Sequence, residues 1–197
     1  PYLSVDGAKI SKSSGTGVRP IDLVDAFGVD ALRWWVANDV SAVSDTDFTV
    51  DRLVASANET LANGLGNAIN RVTTIRHRAG RPPGLPPAAE PLPDVADLGD
   101  DVAGALADFD RRRAVARIGG SIDAVNRHIE RSAPWQLARD PDRARELDVL
   151  LATYVATLTE IARAIEPVTP DLAARAGAQL AAASAEPTPV YRRLAAS

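Results

Sequence analysis

The sequence predicts an all-α protein, an antiparallel helix bundle preceded by a short strand and loop, and three observations carry that prediction. Apolar residues recur at alternating steps of three and four through Val54, Ala57, Leu61, Leu65, Ala68, Val72 and Ile75, the spacing that gathers side chains on one helix face. Proline and glycine punctuate the chain at helix-length intervals. Strand-like alternation is nearly confined to the first few residues, so each apolar helix face must be covered by another helix.

Taken in order, Tyr2, Leu3 and Val5 read as the end of a strand that leads into a loop. Pro20 suits the first turn of a helix and Gly28 its stop, which predicts a helix over 20–27 and a second over 29–38 carrying Trp34 and Trp35. Adjacent tryptophans point in different directions on a helix, so at least one is expected in the core. Ser41 to Asp47 reads as an irregular acidic connection. The periodic stretch predicts one long amphipathic helix from Val50 to about Arg78. Residues 79–94, with six prolines and two glycines, predict a loop. A long helix is expected from Asp97 to about Ile118, broken at Gly119-Gly120, with Ser121 capping another that runs to about Arg131. Ala133-Pro134-Trp135 opens a short helical turn, Asp142 starts a long helix reaching Ile165, and Pro167 to Pro170 separates it from a last helix ending near Ala183. Ser184 to Ser197, with Pro187 and Pro189, reads as an extended tail.

Composition sets limits on chemistry. The 197 residues are 46% hydrophobic, enough for a sizeable core in one or two domains. There is no cysteine, and the two histidines are far apart in sequence, so neither a disulfide framework nor a protein-bound metal is expected in this segment. No stretch approaches the roughly twenty apolar residues that cross a membrane, and no basic-then-apolar leader opens the chain; a cytoplasmic protein without membrane partners is expected. The formal charge of −4 disfavours indiscriminate nucleic-acid binding, yet acidic residues gather between Asp94 and Asp110 while arginines gather elsewhere, which leaves room for a locally basic face.

The only two lysines, Lys9 and Lys12, fall in one short run, whereas the other twenty basic side chains are arginine. An ammonium is a compact point charge on a flexible stem and can follow a phosphate as its charge moves; a guanidinium fork suits fixed bidentate contacts. Gly7, Gly15 and Gly17 flank the run and allow it to swing. The run therefore reads as a phosphate loop, the alternative being a solvated surface turn.

Asp6-Gly7-Ala8-Lys9-Ile10-Ser11-Lys12-Ser13-Ser14-Gly15 resembles the signature (KMSKS-type) loop of class I aminoacyl-tRNA synthetases, with Ile10 where methionine is commoner. The resemblance implies that the loop closes over ATP, supplied with Mg²⁺. Lys12, with Lys9, would stabilise the charge that develops as pyrophosphate leaves the aminoacyl adenylate. Lys9, Ser11, Lys12 and Ser13 would be the ATP-binding positions.

A second, independent set of blocks is similar in order and spacing to the C-terminal region of methionyl-tRNA synthetases. It comprises Ala31-Leu32-Arg33-Trp34-Trp35, Asp47-Phe48, Leu61 to Asn67, Asn70-Arg71, Asn126-Arg127 and Ala133-Pro134-Trp135, and runs from Leu3 to roughly Leu180. The resemblance implies an anticodon-binding bundle whose tRNA contacts are Asn67, Arg71 and Trp135. Asn67 and Arg71, four apart, share a helix face off the apolar stripe and align with Asn63, Thr74 and Arg78. They are expected to face solvent, with an amide and a guanidinium free for base edges and phosphates and an indole face free for a splayed base. Without the resemblance the first two read as solvated polar residues and Trp135 as packing at a helix start. Arg111, Arg112, Arg113 and Arg117 read as a solvated face, with tRNA phosphate the alternative. His77 and His128 are placed in no site.

The expected organisation is the C-terminal end of a Rossmann-type catalytic domain with its signature loop (1–48), an anticodon-binding bundle (49–183) and an extended tail (184–197). The amino-acid pocket and the histidine-bearing nucleotide motif of class I synthetases are not among these residues, so an N-terminal catalytic half, in the same chain or as a separate subunit, is an expected partner beside tRNA and ATP. This segment alone is expected to be inactive. Two other readings remain open at this stage. One is a synthetase-like paralogue that activates an amino acid for biosynthesis outside translation, and the other is a stand-alone tRNA-binding module.

Overall fold

The computed structural model describes residues 2–5, 7–9, 18–80, 89–182 and 186–195. Helices dominate them, beside a small three-stranded sheet in the order β2, β1, β3. Strand β1 (Leu3–Val5) pairs antiparallel with β2 (Ala8–Lys9) and parallel with β3 (Thr46–Phe48). The stretch read as an irregular acidic connection thus ends in a strand. Thr46 and Phe48 alternate inward with Asp47 between them, and the Thr46 amide donates to the Tyr2 carbonyl at 3.0 Å. Three residues offer too little periodicity to read from sequence.

Helices α1 (Pro20–Phe27) and α2 (Val29–Asn38) have the predicted bounds, and Gly28, at φ 85°, supplies the left-handed corner between them. Both Trp34 and Trp35 are buried at 1% exposure, because α2 is packed by other elements on opposite sides. Trp35 meets Phe48 edge-to-face, with ring centroids 4.9 Å apart. A three-residue strand is thereby fixed against a helix.

The long periodic stretch is helical throughout but not uniform. It runs as α3 (Val50–Ala57), a π-helical section (Asn58–Gly66) and α4 (Asn67–Arg78). The stripe from Val54 to Val72 is buried as its spacing requires. Gly64 and Gly66 explain where the widened turns fall. A Cβ on Gly64 would stand 3.0 Å from Ile122 Cγ2, and one on Gly66 would stand 2.9 Å from the Leu61 carbonyl oxygen. The first glycine admits a neighbouring helix and the second admits a carbonyl five residues back.

That neighbour corrects the expected break at Gly119-Gly120. The chain instead breaks at Asp108–Asp110, between α5 (Leu98–Ala107) and α6 (Arg111–Ser132), where Phe109 takes φ 59° and the Asp110 carboxylate caps α6 by accepting from the Arg113 amide. Helix α6 then passes unbroken through both glycines. Each costs about 1 kcal/mol of helix propensity. A break there would sever the buried stripe Ala114, Val115, Ile118, Ile122, Val125 and Ile129, each of whose larger members is worth about 1.5–3 kcal/mol when buried. Ser121 caps nothing; it is buried, and its hydroxyl faces the Asp94 carbonyl and Arg117.

Helix α7 (Pro134–Leu137), a 3-10 turn (Pro141–Arg143), α8 (Ala144–Ile165) and α9 (Pro170–Ala181) complete the helices. Thr169 gives α9 no side-chain cap. Asp30 on α2 does so instead, accepting from the Leu172 amide at 2.6 Å and the Asp171 amide at 3.4 Å, while Arg33 donates to the carbonyls of Val168 and Pro167. One turn of α2 therefore satisfies both the donors that open α9 and the carbonyls that precede it. The tail is extended, as expected, but packed. Val190 is buried, Arg175 donates to its carbonyl at 2.7 Å, and Asn58 makes a two-way amide pairing with Leu194 at 2.9 and 2.8 Å.

Candidate nucleic-acid interface and loop stem

Two regions were expected to carry function. At the first, β1 and β2 form the stem of the lysine-bearing loop. Lys9 closes β2 in its backbone, while Ser11, Lys12 and Ser13 lie outside the described residues. The stem is pinned from β3, where Asp47 Oδ1 accepts from the Ser4 hydroxyl at 2.6 Å and the Gly7 amide at 2.9 Å. These donors, the hydroxyl first, hold its carboxyl below the usual carboxylate range. Arg52 of α3 donates to the Asp47 carbonyl at 2.7 Å, tying the stem to the first helix of the bundle.

The second region lies on α4 and the α6–α7 corner. Asn67, the first residue of α4, is exposed. Arg71 follows one turn later but is not free as expected. Its side chain is 23% exposed, Nη1 lies 2.7 Å from Glu130 Oε1, and its guanidinium carbon sits 5.1 Å from the centroid of Trp135. The sequence reading missed Glu130 because that partner comes from another helix, fifty-nine positions on, with no pattern of its own. Trp135 reaches α4 because Ala133, with φ 44° and ψ 57°, ends α6 and starts α7 in one left-handed residue, and Pro134 fixes the next turn.

Beside the indole, Thr74, Ile75, Arg78, Ala79, Ala138 and Arg139 line a cavity of about 240 Å³ with Trp135 as one wall. Arg78 and Arg139 give it positive charge. Where α8 meets α6, Tyr154 is fully buried, its hydroxyl 2.8 Å from His128 Nδ1 and 2.5 Å from Ser132 Oγ. Burial pushes the Tyr154 phenol up, offset in part by the Ser132 hydrogen bond and by Arg71. Asn126 donates to the Gly64 carbonyl at 3.2 Å, locking α6 to the π-helical section. This edge of the bundle thus rests on packed helices.

Three of the four arginines near the start of α6 are spent on the protein itself, and Arg112 is exposed. Arg111 donates to the carbonyls of Val36 and Val40, Arg113 pairs with Asp108 at 2.7 Å, and Arg117 pairs with Asp101 at 2.8 Å. Among the described residues no three histidine or carboxylate side chains converge as a metal site, and no helix is long and apolar enough to cross a membrane.

Residues 1–73 match the family model for tRNA synthetases class I (M). Along most of its length the chain is similar to methionine–tRNA ligases: 31% identical to that of Rhodopirellula baltica, over 89% of this chain and 26% of the relative, and 34% identical to that of Deinococcus radiodurans, over 90% and 27%. This chain belongs to the methionyl-tRNA synthetase family. The fold agrees. The methionyl-tRNA synthetase of Mycobacterium tuberculosis bound by methionyl-adenylate matches with a TM-score of 0.78 at 23% identity, over 97% of this chain and 43% of that one. Its apo form matches with a TM-score of 0.73 at 21% identity, over 91% and 42%. The chain therefore spans just over a quarter of the length of these curated methionyl-tRNA synthetase relatives.

Proposed function

We propose that this chain is the part of a methionine–tRNA ligase that carries the phosphate loop and reads the tRNA anticodon. The observation that carries the reading is the packing of Arg71 on Trp135 at one edge of the bundle, beside a cavity lined by Arg78 and Arg139, with exposed Asn67 one helical turn before Arg71. These residues come from two helices sixty-four positions apart, and nothing in core packing demands an amide, a guanidinium and an indole together at a surface.

In the proposed mechanism a splayed anticodon base stacks on the indole of Trp135, and the Asn67 amide and Arg71 guanidinium meet base edges and the adjoining phosphate. At the other region Lys12, with Lys9, Ser11 and Ser13, closes over ATP, bound as its magnesium complex. Preorganised charge from Lys12 stabilises the negative charge that builds as pyrophosphate leaves the methionyl adenylate. Asp47, through Ser4 and Gly7, holds the loop stem, and Arg52 connects that stem to the bundle. The amino-acid pocket and the facing nucleotide half come from the N-terminal catalytic half of the whole protein, which works in the cytoplasm. Retention of all three anticodon-facing residues favours tRNA as the acyl acceptor over a biosynthetic small molecule.

The test uses the complete protein. Lys12→Ala is expected to slow methionine-dependent pyrophosphate exchange by about 10²–10³-fold, with tRNA binding unchanged. Trp135→Ala is expected to do the reverse, and to abolish the preference for the methionine anticodon over single-base variants. Exchange unaffected by Lys12→Ala removes the catalytic assignment; an undiminished anticodon preference in Trp135→Ala removes the other.

A further inference from the structure

A second polar groove lies along the same helical stretch, before Arg71, and shares no lining residue with the cavity beside Trp135. It has a volume of about 420 Å³ and is lined by Asn63, Asn67 and Asn70 from the long helix, with Pro189, Tyr191 and Arg193 from the C-terminal strap forming the opposite wall. Among the described residues, the side chains of Asn63, Asn67, Asn70 and Arg193 have no hydrogen-bonding or ionic partner. Three unpartnered amides facing an unpartnered guanidinium make a site for an anion that also carries hydrogen-bonding groups, which describes a nucleic-acid backbone.

The strap is held where it is by specific bonds. The Asn58 amide donates to the Leu194 carbonyl and accepts from the Leu194 amide, the residue next to Arg193, and Arg175 holds the Val190 carbonyl. Val190 is buried and Tyr191 and Leu194 pack against the core, which leaves Arg192 and Arg193 exposed between them. Arg192, by contrast with Arg193, lines a different cavity beside Phe27 and Arg175. Two adjacent arginines are thus presented to two separate surfaces, and only one shares a groove with Asn67.

We propose that Arg193 binds a tRNA backbone phosphate in this groove, with Asn63 and Asn70 hydrogen-bonding the same stretch of sugar-phosphate, and that the Asn58 clamp is the positioning residue that holds Arg193 there. The inference rests on the anticodon reading of Asn67, Arg71 and Trp135 and extends it by a contact that carries no base information. A phosphate contact positions; a base contact specifies.

The measurement is tRNA affinity of the complete protein across a salt series, with tRNA of the methionine anticodon and a single-base variant. Each phosphate contact contributes about one unit to the slope of log affinity against log salt. Arg193→Gln is expected to lower that slope by about one and to raise KM for tRNA several-fold at low salt, leaving pyrophosphate exchange and the preference between the two tRNAs unchanged. Arg193→Lys restores most of the slope, Arg192→Gln leaves it at the wild-type value, and Asn58→Ala lowers it as Arg193→Gln does. A wild-type slope and KM in Arg193→Gln overturn the proposal, as does a loss of pyrophosphate exchange, which would assign Arg193 to the nucleotide side. Trp135→Ala reports separately on the anticodon reading, because that variant is expected to lose base preference and retain the slope.

Discussion

The guanidinium carbon of Arg71 lies 5.1 Å from the centre of the Trp135 ring while Nη1 of the same group lies 2.7 Å from Glu130. A side chain expected to wait in solvent is therefore parked on the aromatic face that a base would use. Glu130 is 62% exposed and the pair is screened by water, so the parking energy is small, within about 1 kcal/mol. An incoming phosphate or base competes with it readily. Glu130→Gln is expected to strengthen tRNA binding by a few-fold at low salt and to have no effect at high salt, where screening has already weakened the pair. Weaker binding in that variant would show that Glu130 serves to preorganise Arg71 for tRNA.

Trp135→Ala is expected to weaken tRNA binding by about 1–3 kcal/mol, the usual contribution of a base stacked on an aromatic ring. Part of any loss of stability is separable, since the indole also packs against the core as a half-buried group. Trp135→Phe keeps a stacking face and should recover most of the affinity, measured by filter binding.

Glycines in the helices separate into two classes. Gly119→Ala and Gly120→Ala introduce a Cβ with nothing within 4 Å, and each is expected to raise stability by about 0.5–1 kcal/mol through helix propensity alone. Gly66→Ala places its Cβ 2.9 Å from the Leu61 carbonyl, so the π-helical turn must shift and stability should fall despite the same propensity gain. Urea midpoints at constant slope decide between these signs.

Asp30→Ala removes the cap of α9 and leaves the Leu172 amide buried without an acceptor. A loss of about 2 kcal/mol is expected, from the cap and the stranded donor together. Asp30→Asn keeps an acceptor oxygen at the same place and should lose less.

Tyr191 on the strap has a buried hydroxyl with no hydrogen-bond partner, and burial, aided by nearby Asp30 and opposed by Arg175, pushes its phenol up to about 12. The folded chain thus holds this proton more tightly than the unfolded chain, whose phenol titrates near 10. Between those values the unfolded state has lost the proton and the folded state retains it, so stability is full below about pH 10 and falls as pH rises toward 12. Tyr191→Phe is expected to flatten that decline and, at neutral pH, to cost nothing, since no hydrogen bond is lost. A steeper alkaline loss in the variant would refute the assignment.

The sequence by itself determined the helical class, the bounds of α1 and α2 and the buried stripe from Val54 to Val72. Each is written in local spacing or in single residues with sharp backbone preferences, such as Pro20 and Gly28. Tertiary structure alone decided the rest, because the determining partners are remote in sequence. Helix α6 passes through Gly119-Gly120 since burying its apolar stripe, Ile118 and Ile122 included, against the π-helical section, α4 and α8 outweighs two weak helix formers. Thr46–Phe48 becomes a strand since β1 offers it a partner forty-three residues away. Arg71 is held by Glu130 rather than freed into solvent, and Arg193 reaches the groove beside Asn67 because Asn58 pairs with a backbone 136 residues downstream. Periodicity reports which face of an element is apolar; only the packed fold reports what stands opposite it.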